Sequence, residues 1–151
     1  MKVNEIQLSE LAPTMMNPIN ILFVDDHPLI RKAWDFLLKQ DKRFKVIGVC
    51  ESGEEAIVAT KQLCPDIVIM DIRLRGISGI EATQLIKQNC PEVKIIGLSF
   101  HIESDYAEKI MQSGAMGYLS KNSSPDEIFT AITEVHSGKT YICPEISDML
   151  S

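Results

Sequence analysis

The chain has 151 residues, 45% hydrophobic and 24% charged, which suits one globular domain with tails and excludes disorder along its whole length. A net charge of -6 and a pI near 5.0, with no dense lysine and arginine stripe, exclude the electrostatic footprint of a nucleic-acid binder in these residues. No apolar run reaches membrane-spanning length and the start, MKVNEIQLSE, lacks a signal-peptide core, so a cytoplasmic protein is expected.

Residues Met1 to Pro18 show weak helical periodicity and two prolines, and read as a tail in which Met16 offers an alternative start. From Ile19 onward, short β-branched runs alternate with amphipathic segments. The first strand is expected over Ile19–Val24, followed by a helix over Pro28–Gln40 with Pro28 in its first turn. The basic stretch KQDKRFK, Lys39 to Lys45, reads as a solvated loop before a second strand over Lys45–Cys50. A helix over Gly53–Leu63, a strand over Asp66–Met70 and a helix over Ile80–Asn89 follow. Next come a strand over Lys94–Leu98, a helix over Glu103–Ser113, a strand over Ala115–Leu119 and a helix over Pro125–Ser137. Ser124 and Glu127 form a capping box for that last helix, and Gly114 and Gly138 stand where helices end in a left-handed residue.

The runs ILFV, IVIM and IIGL are apolar on both faces, as strands of a parallel sheet covered on both sides must be. The βα repeat therefore predicts a doubly wound α/β sandwich with right-handed crossovers. No GxGxxG follows the first strand, so dinucleotide binding has no support. The segment from Lys139 to Ser151 is short and polar, and reads as a linker. The four cysteines, Cys50, Cys64, Cys90 and Cys143, stand apart with neither C-x-x-C nor histidines at ligand spacing, and read as reduced thiols.

In an open parallel sheet the functional crevice lies beyond the carboxyl ends of the strands. Asp25 and Asp26 follow the first strand, Asp71 ends the third, Ser99 follows the fourth and Lys121 follows the fifth. Taken singly, each has a plain reading: the acids as turn and cap residues, Ser99 as a loop hydroxyl, Lys121 as a surface charge. Together they place acids, a hydroxyl and a cation on one edge. Clustered carboxylates repel unless a cation neutralises them, and hard oxygen ligands of this kind select Mg²⁺. A carboxylate beside such a metal is a nucleophile able to form an aspartyl-phosphate, with Lys121 and Ser99 placed to serve the phosphoryl group.

The segments VDDHP, the Asp71-I-R stretch with G-I-S-G-I-E after it, LSFH and GAMGYLSK resemble, in order, the receiver domain of two-component response regulators. The likeness covers about residues 19 to 142. VDDHPLIRKAW and the ending GYLSKNSSPDEIFTAITEVHSGKTYICPEI are similar to the NarL/FixJ (LuxR-type) subgroup, whose receivers precede a DNA-binding helix-turn-helix domain. The resemblance implies a flavodoxin-like (βα)5 fold with a five-stranded parallel sheet in the order 2-1-3-4-5. The receiver would span residues 19–138, with 1–18 as tail and 139–151 as linker towards a DNA-binding domain absent from this chain. It implies that Asp71 accepts a phosphoryl group from a histidine kinase. Asp26 and Asp71 would hold Mg²⁺ directly, Asp25 through water, and the backbone carbonyl of Arg73 would complete the set. Ser99 would be the switch hydroxyl, Lys121 the phosphoryl-balancing cation and Tyr118 the aromatic that turns inward, against its plain reading as a strand-end ring. Output would follow from a changed surface, through homodimerisation or release of the effector domain.

Two positions depart from or extend that pattern. Arg75 stands where the family usually carries proline, which implies a looser and more positive loop over RLRGISG. His101, two residues past Ser99, reads either as a tuner of phosphoryl lifetime or as a solvated loop histidine. Other readings are a stand-alone receiver acting by protein contacts, a small-molecule phosphatase, and a degenerate receiver. The phosphatase needs a second acid two residues after its nucleophile, and Arg73 stands there.

Overall fold

The structure, a computed structural model, describes residues 17–100 and 104–150. The expected tail lies almost wholly outside these residues, and so does His101. The elements run β1 (Ile19–Val24), α1 (Pro28–Lys39), β2 (Phe44–Cys50), α2 (Gly53–Leu63), β3 (Ile67–Asp71) and α3 (Gly79–Asn89). They continue with β4 (Lys94–Ser99), α4 (Ser104–Gln112), β5 (Gly117–Ser120), α5 (Pro125–His136), β6 (Tyr141–Ile142) and α6 (Pro144–Leu150). The sheet is parallel throughout, with strand order β2-β1-β3-β4-β5-β6.

The two-sided apolar runs explain the layering. Successive side chains of a strand point to opposite faces. Leu22 and Val24 of β1, with Val68 and Met70 of β3, join a core beneath α2, α3 and α4 that includes Ala56, Ile86 and Ile110. Ile21 and Phe23, with Ile67 and Ile69, join the core on the other face beneath α1 and α5, with Trp34, Leu38, Ile128 and Ile132. Every residue of β3 is buried, and each of its Ile, Val and Met side chains adds roughly 1.5–3 kcal/mol of transfer free energy. Phe23 stacks on Trp34 with ring centroids 5.2 Å apart, which fixes α1 against β1.

The helix ends follow their local chemistry. Ser124 accepts from the Glu127 N–H at 3.2 Å, the expected cap of α5. Ser52 and Ser78 cap α2 and α3 in the same way through Glu55 and Glu81. Gly114 and Gly138 have φ of +113° and +99°, conformations that L side chains rarely adopt. All four cysteines are free thiols; Cys50 and Cys143 are buried, and burial pushes the Cys50 thiol up to about 11.

The segment expected to be a linker is instead ordered against the sheet. The Tyr141 N–H donates to the Met116 carbonyl and the Cys143 N–H to the Tyr118 carbonyl, both at 3.0 Å, so β6 adds a sixth strand beside β5. Cys143 and Ile146 are buried and anchor α6 in the same core as α4. A two-residue strand has no alternation to read, so a polar composition concealed these anchors.

Candidate phosphoacceptor site

The strand order brings four strand ends side by side. Asp25 continues β1, its N–H donating to the Cys50 carbonyl at 3.0 Å, while Asp71 and Ser99 are the last residues of β3 and β4. The Lys121 N–H donates to the Ser99 carbonyl at 2.9 Å, carrying the β4–β5 ladder one residue beyond β5. The sheet ladder itself thus fixes the backbone beneath Asp25, Asp71, Ser99 and Lys121. Above them opens a cleft of about 340 Å³ lined by Asp26, His27, Asp71, Arg73, Arg75, Ser99, Phe100 and Lys121.

Its centre is a buried ion cluster. The Lys121 ammonium lies 2.6 Å from Asp25 Oδ2 and 3.1 Å from Asp71 Oδ2, with its side chain 2% exposed. Asp25 and Asp71 are buried and Asp26 nearly so, and all three carboxylates offer oxygens within 4.8 Å of one another and of a His27 ring nitrogen. The Asp71 carboxyl is pushed up to about 6, first by burial and next by the charge of Asp25, against the opposing pull of Lys121. Asp25 Oδ2 and Asp26 Oδ1 are buried and accept no well-formed hydrogen bond among the described residues; the first lies 2.6 Å from the Lys121 ammonium and the second 3.0 Å from His27 Nδ1. Hard oxygens with spare acceptor capacity, crowded beyond what one ammonium neutralises, fit a divalent cation such as Mg²⁺.

A pH dependence follows. The folded state binds the Asp71 proton more tightly than the unfolded chain, so this group's contribution to stability falls as pH rises from about 4 through about 6. Added Mg²⁺ should therefore raise the melting temperature more at pH 7 than at pH 5. Melting curves with and without the cation check this; an equal shift at both pH values contradicts it.

The loop after β3 is held by close approach. The Gly79 N–H donates to the Ile72 carbonyl at 2.8 Å, and a Cβ at Gly79 would overlap the Asp71 carbonyl oxygen and lie 2.8 Å from Ile72 Cα. Gly79→Ala should displace the backbone of Asp71 and cost on the order of 2–4 kcal/mol, measurable by denaturant unfolding. A loss below about 0.5 kcal/mol, within the usual range for surface substitutions, would contradict the rigidity argued here.

Of the residues expected at the site, Asp25, Asp26, Asp71, Ser99, Lys121 and Arg73 converge. The Arg73 N–H donates to Asp71 Oδ1 at 3.1 Å. Tyr118 does not line the cleft; it is buried below it with Ala107, Ile110 and Ile146. Arg75 is largely exposed, with its Nε 3.8 Å from Asp26 Oδ2, an ion pair of the weak surface kind. Gly76 beside it takes φ +76°.

Three contacts escaped the sequence reading. His27 closes a turn on Asp25, its N–H donating to Oδ1 at 2.8 Å, and its Nδ1 stands 2.9 Å from Asp25 and 3.0 Å from Asp26. The i to i+2 spacing in DDH was the available signal. Arg31 donates to the Asp25 carbonyl at 2.8 Å, and Tyr106 of α4 receives Arg73. Neither carries a spacing signal.

The family profile of the response regulator receiver domain matches residues 21–133. This chain belongs to that family. The receiver is 41% identical over 133 residues to the response regulator UvrY of Escherichia coli K12, covering 88% of this chain and 61% of UvrY. It is 34% identical to the response regulator GacA of Pseudomonas aeruginosa, covering 88% of this chain and 62% of GacA. The chain thus spans less than two thirds of these curated relatives. A LuxR-family two-component response regulator from Aurantimonas sp. SI85-9A1 superposes with a TM-score of 0.84 at 33% identity, covering 87% of the receiver and 94% of that chain. The isolated receiver of RcsB from Salmonella enterica, solved with a phosphomimetic, shares the fold with a TM-score of 0.82 at 23% identity. These matches bear out the flavodoxin-like order 2-1-3-4-5, to which this receiver adds β6, and its LuxR-type relationship. Among the described residues no helix is long and apolar enough to cross a membrane.

Proposed function

We propose that Asp71 is the phosphoacceptor, charged by a histidine kinase, and that the receiver switches a transcriptional output. The carrying observation is the buried Asp71 carboxylate at the end of β3, 3.1 Å from the Lys121 ammonium and crowded by Asp25. An Asp71 oxygen attacks the phosphorus of a phosphohistidine; the P–N bond breaks and its electron pair returns to the imidazole. Lys121 passes from Asp71 to a phosphoryl oxygen and the Ser99 hydroxyl donates to another, so charge built up in transfer meets donors already in place. Asp25, Asp26, Asp71 and the Arg73 carbonyl would hold Mg²⁺, which when bound neutralises the carboxylates and draws charge from the phosphoryl oxygens. With Ser99 and Lys121 drawn to the phosphoryl group, the segment after β4 and the ring of Tyr118 settle in a second arrangement.

The output reading rests on the relatives, which extend beyond the stretch matched here, and on the fold shared with RcsB, which has been solved as dimers bound to DNA. We assign residues 19–138 to the receiver proper and residues 139–151, with β6 and α6, to its junction with a DNA-binding domain outside this chain. Homodimerisation on phosphorylation is part of that reading. Intact mass after incubation with acetyl phosphate tests the chemistry: one phosphoryl adduct that requires Mg²⁺ is expected. An unchanged mass with both acetyl phosphate and a phosphorylated histidine kinase would overturn it.

A further inference from the structure

His27 follows the acid pair and turns back on it. Its backbone N–H donates to Asp25 Oδ1 at 2.8 Å, and its ring nitrogen Nδ1 stands 2.9 Å from the same oxygen and 3.0 Å from Asp26 Oδ1. That Asp26 oxygen is one of the two buried acid oxygens without a well-formed hydrogen bond. Nδ1 and one oxygen from each of Asp25, Asp26 and Asp71 all lie within 4.8 Å of one another. The ring is half-exposed, lines the cleft and meets Phe100 edge-on with centroids 6.4 Å apart.

We propose that His27 is a nitrogen ligand of the cation site, and that it suits the cleft to a first-row transition dication of the Co²⁺, Ni²⁺ and Zn²⁺ kind in preference to Mg²⁺. This rests on the reading of the acid cluster as a cation site, and does not need Asp71 to be the phosphoacceptor. Around a six-coordinate ion with bonds of about 2.0–2.1 Å, neighbouring donors stand about 2.9 Å apart and opposite ones about 4.2 Å. Nδ1 keeps the spacing of a neighbour to both acid oxygens, and the four donors together spread only slightly wider than such a shell. Without an ion the ring donates from Nδ1 to the acids. An ion takes the place of that proton, which the other tautomer carries on Nε2. Mg²⁺ gains little from the exchange, since carboxylates, carbonyls and water suit it; imidazole suits the later first-row ions, whose affinity rises from Mn²⁺ through Co²⁺ to Ni²⁺. If the ring only closes the turn on Asp25, any side-chain donor in its place serves as well.

His27→Asn keeps a side-chain N–H donor toward the acids and removes the imidazole. Co²⁺ and Mg²⁺ are titrated separately into the full chain, wild type and variant, by calorimetry. The Co²⁺ form is then examined by proton NMR, where the ring protons of an imidazole bound to this paramagnetic ion move far outside the normal range. The wild type should bind Co²⁺ more tightly than Mg²⁺ and show such shifted ring protons. In His27→Asn those signals should vanish and Co²⁺ affinity should fall at least about tenfold, since even the outer partners of metal ligands cost roughly 10–100-fold when lost. Mg²⁺ affinity should fall far less. Equal losses for the two ions, Co²⁺ binding unchanged in the variant, or shifted ring protons that survive the substitution each overturn the proposal. A wild type that binds neither ion defeats the cation-site reading and this one with it, and the Mg²⁺ titration tells that failure from the failure of His27 alone.

Discussion

Asp71→Asn takes no phosphoryl group from acetyl phosphate and, in metal-free buffer near neutral pH, melts higher than the wild type. Two causes act together. The amide is isosteric and can still accept from the Arg73 N–H, but it brings no charge into a site where burial and Asp25 push the native carboxyl up to about 6. The elevation corresponds to a gain on the order of 2 kcal/mol at pH 7, or about 5 °C for a chain of this size. Lys121 keeps its partner in Asp25 at 2.6 Å, so no new unpaired cation offsets the gain. With excess Mg²⁺ the difference should shrink or reverse, because on the function proposed above the native site binds the metal and the variant lacks one of its ligands. Melting curves in EDTA and in Mg²⁺ decide it; a variant less stable than the wild type in EDTA would show that Asp71 is not under electrostatic stress.

Lys121→Met should act in the opposite direction. Methionine keeps most of the buried stem but leaves Asp25 and Asp71, both buried, without the ammonium they share. Breaking a buried pair by removing one partner costs about 3–5 kcal/mol, so the metal-free variant should approach the edge of stability. Mg²⁺ should recover part of the loss. The phosphoryl adduct should form more slowly, with one phosphoryl oxygen now lacking its cation. Urea unfolding with and without Mg²⁺ measures the first effect; a variant within about 0.5 kcal/mol of the wild type would mean that Lys121 is a peripheral charge, of the kind whose loss surface substitutions tolerate.

Much of this was legible from local pattern. The two-sided apolar runs of β1, β3 and β4 announced a covered parallel sheet, and that topology alone brought Asp25, Asp26, Asp71, Ser99 and Lys121 to one edge. Pro125, Ser124 and Glu127 set the start of α5 because capping is decided within four residues. What stayed hidden depends on partners distant in sequence. Arg73 and Tyr106 stand 33 positions apart, and only the folded chain brings the loop after β3 and the start of α4 into contact. Lys121 was expected to serve the phosphoryl group, yet its shorter contact is with Asp25, a preference set by side-chain packing rather than strand order. The anchors of β6 and α6 follow no readable pattern: Cys143 closes the three-residue run Tyr141-Ile142-Cys143 and Ile146 stands alone between Glu145 and Ser147, too little for a periodicity to mark them.

The measurement that tests the central claim most directly is the location of the phosphoryl group. The chain is charged with acetyl phosphate and Mg²⁺, reduced with borohydride, which converts an aspartyl-phosphate to homoserine, and digested for peptide mass mapping. Homoserine at position 71 alone, absent without Mg²⁺, is the predicted result. Homoserine at Asp25 or Asp26 instead would contradict the account, because it would make one of the acids assigned to the metal the nucleophile.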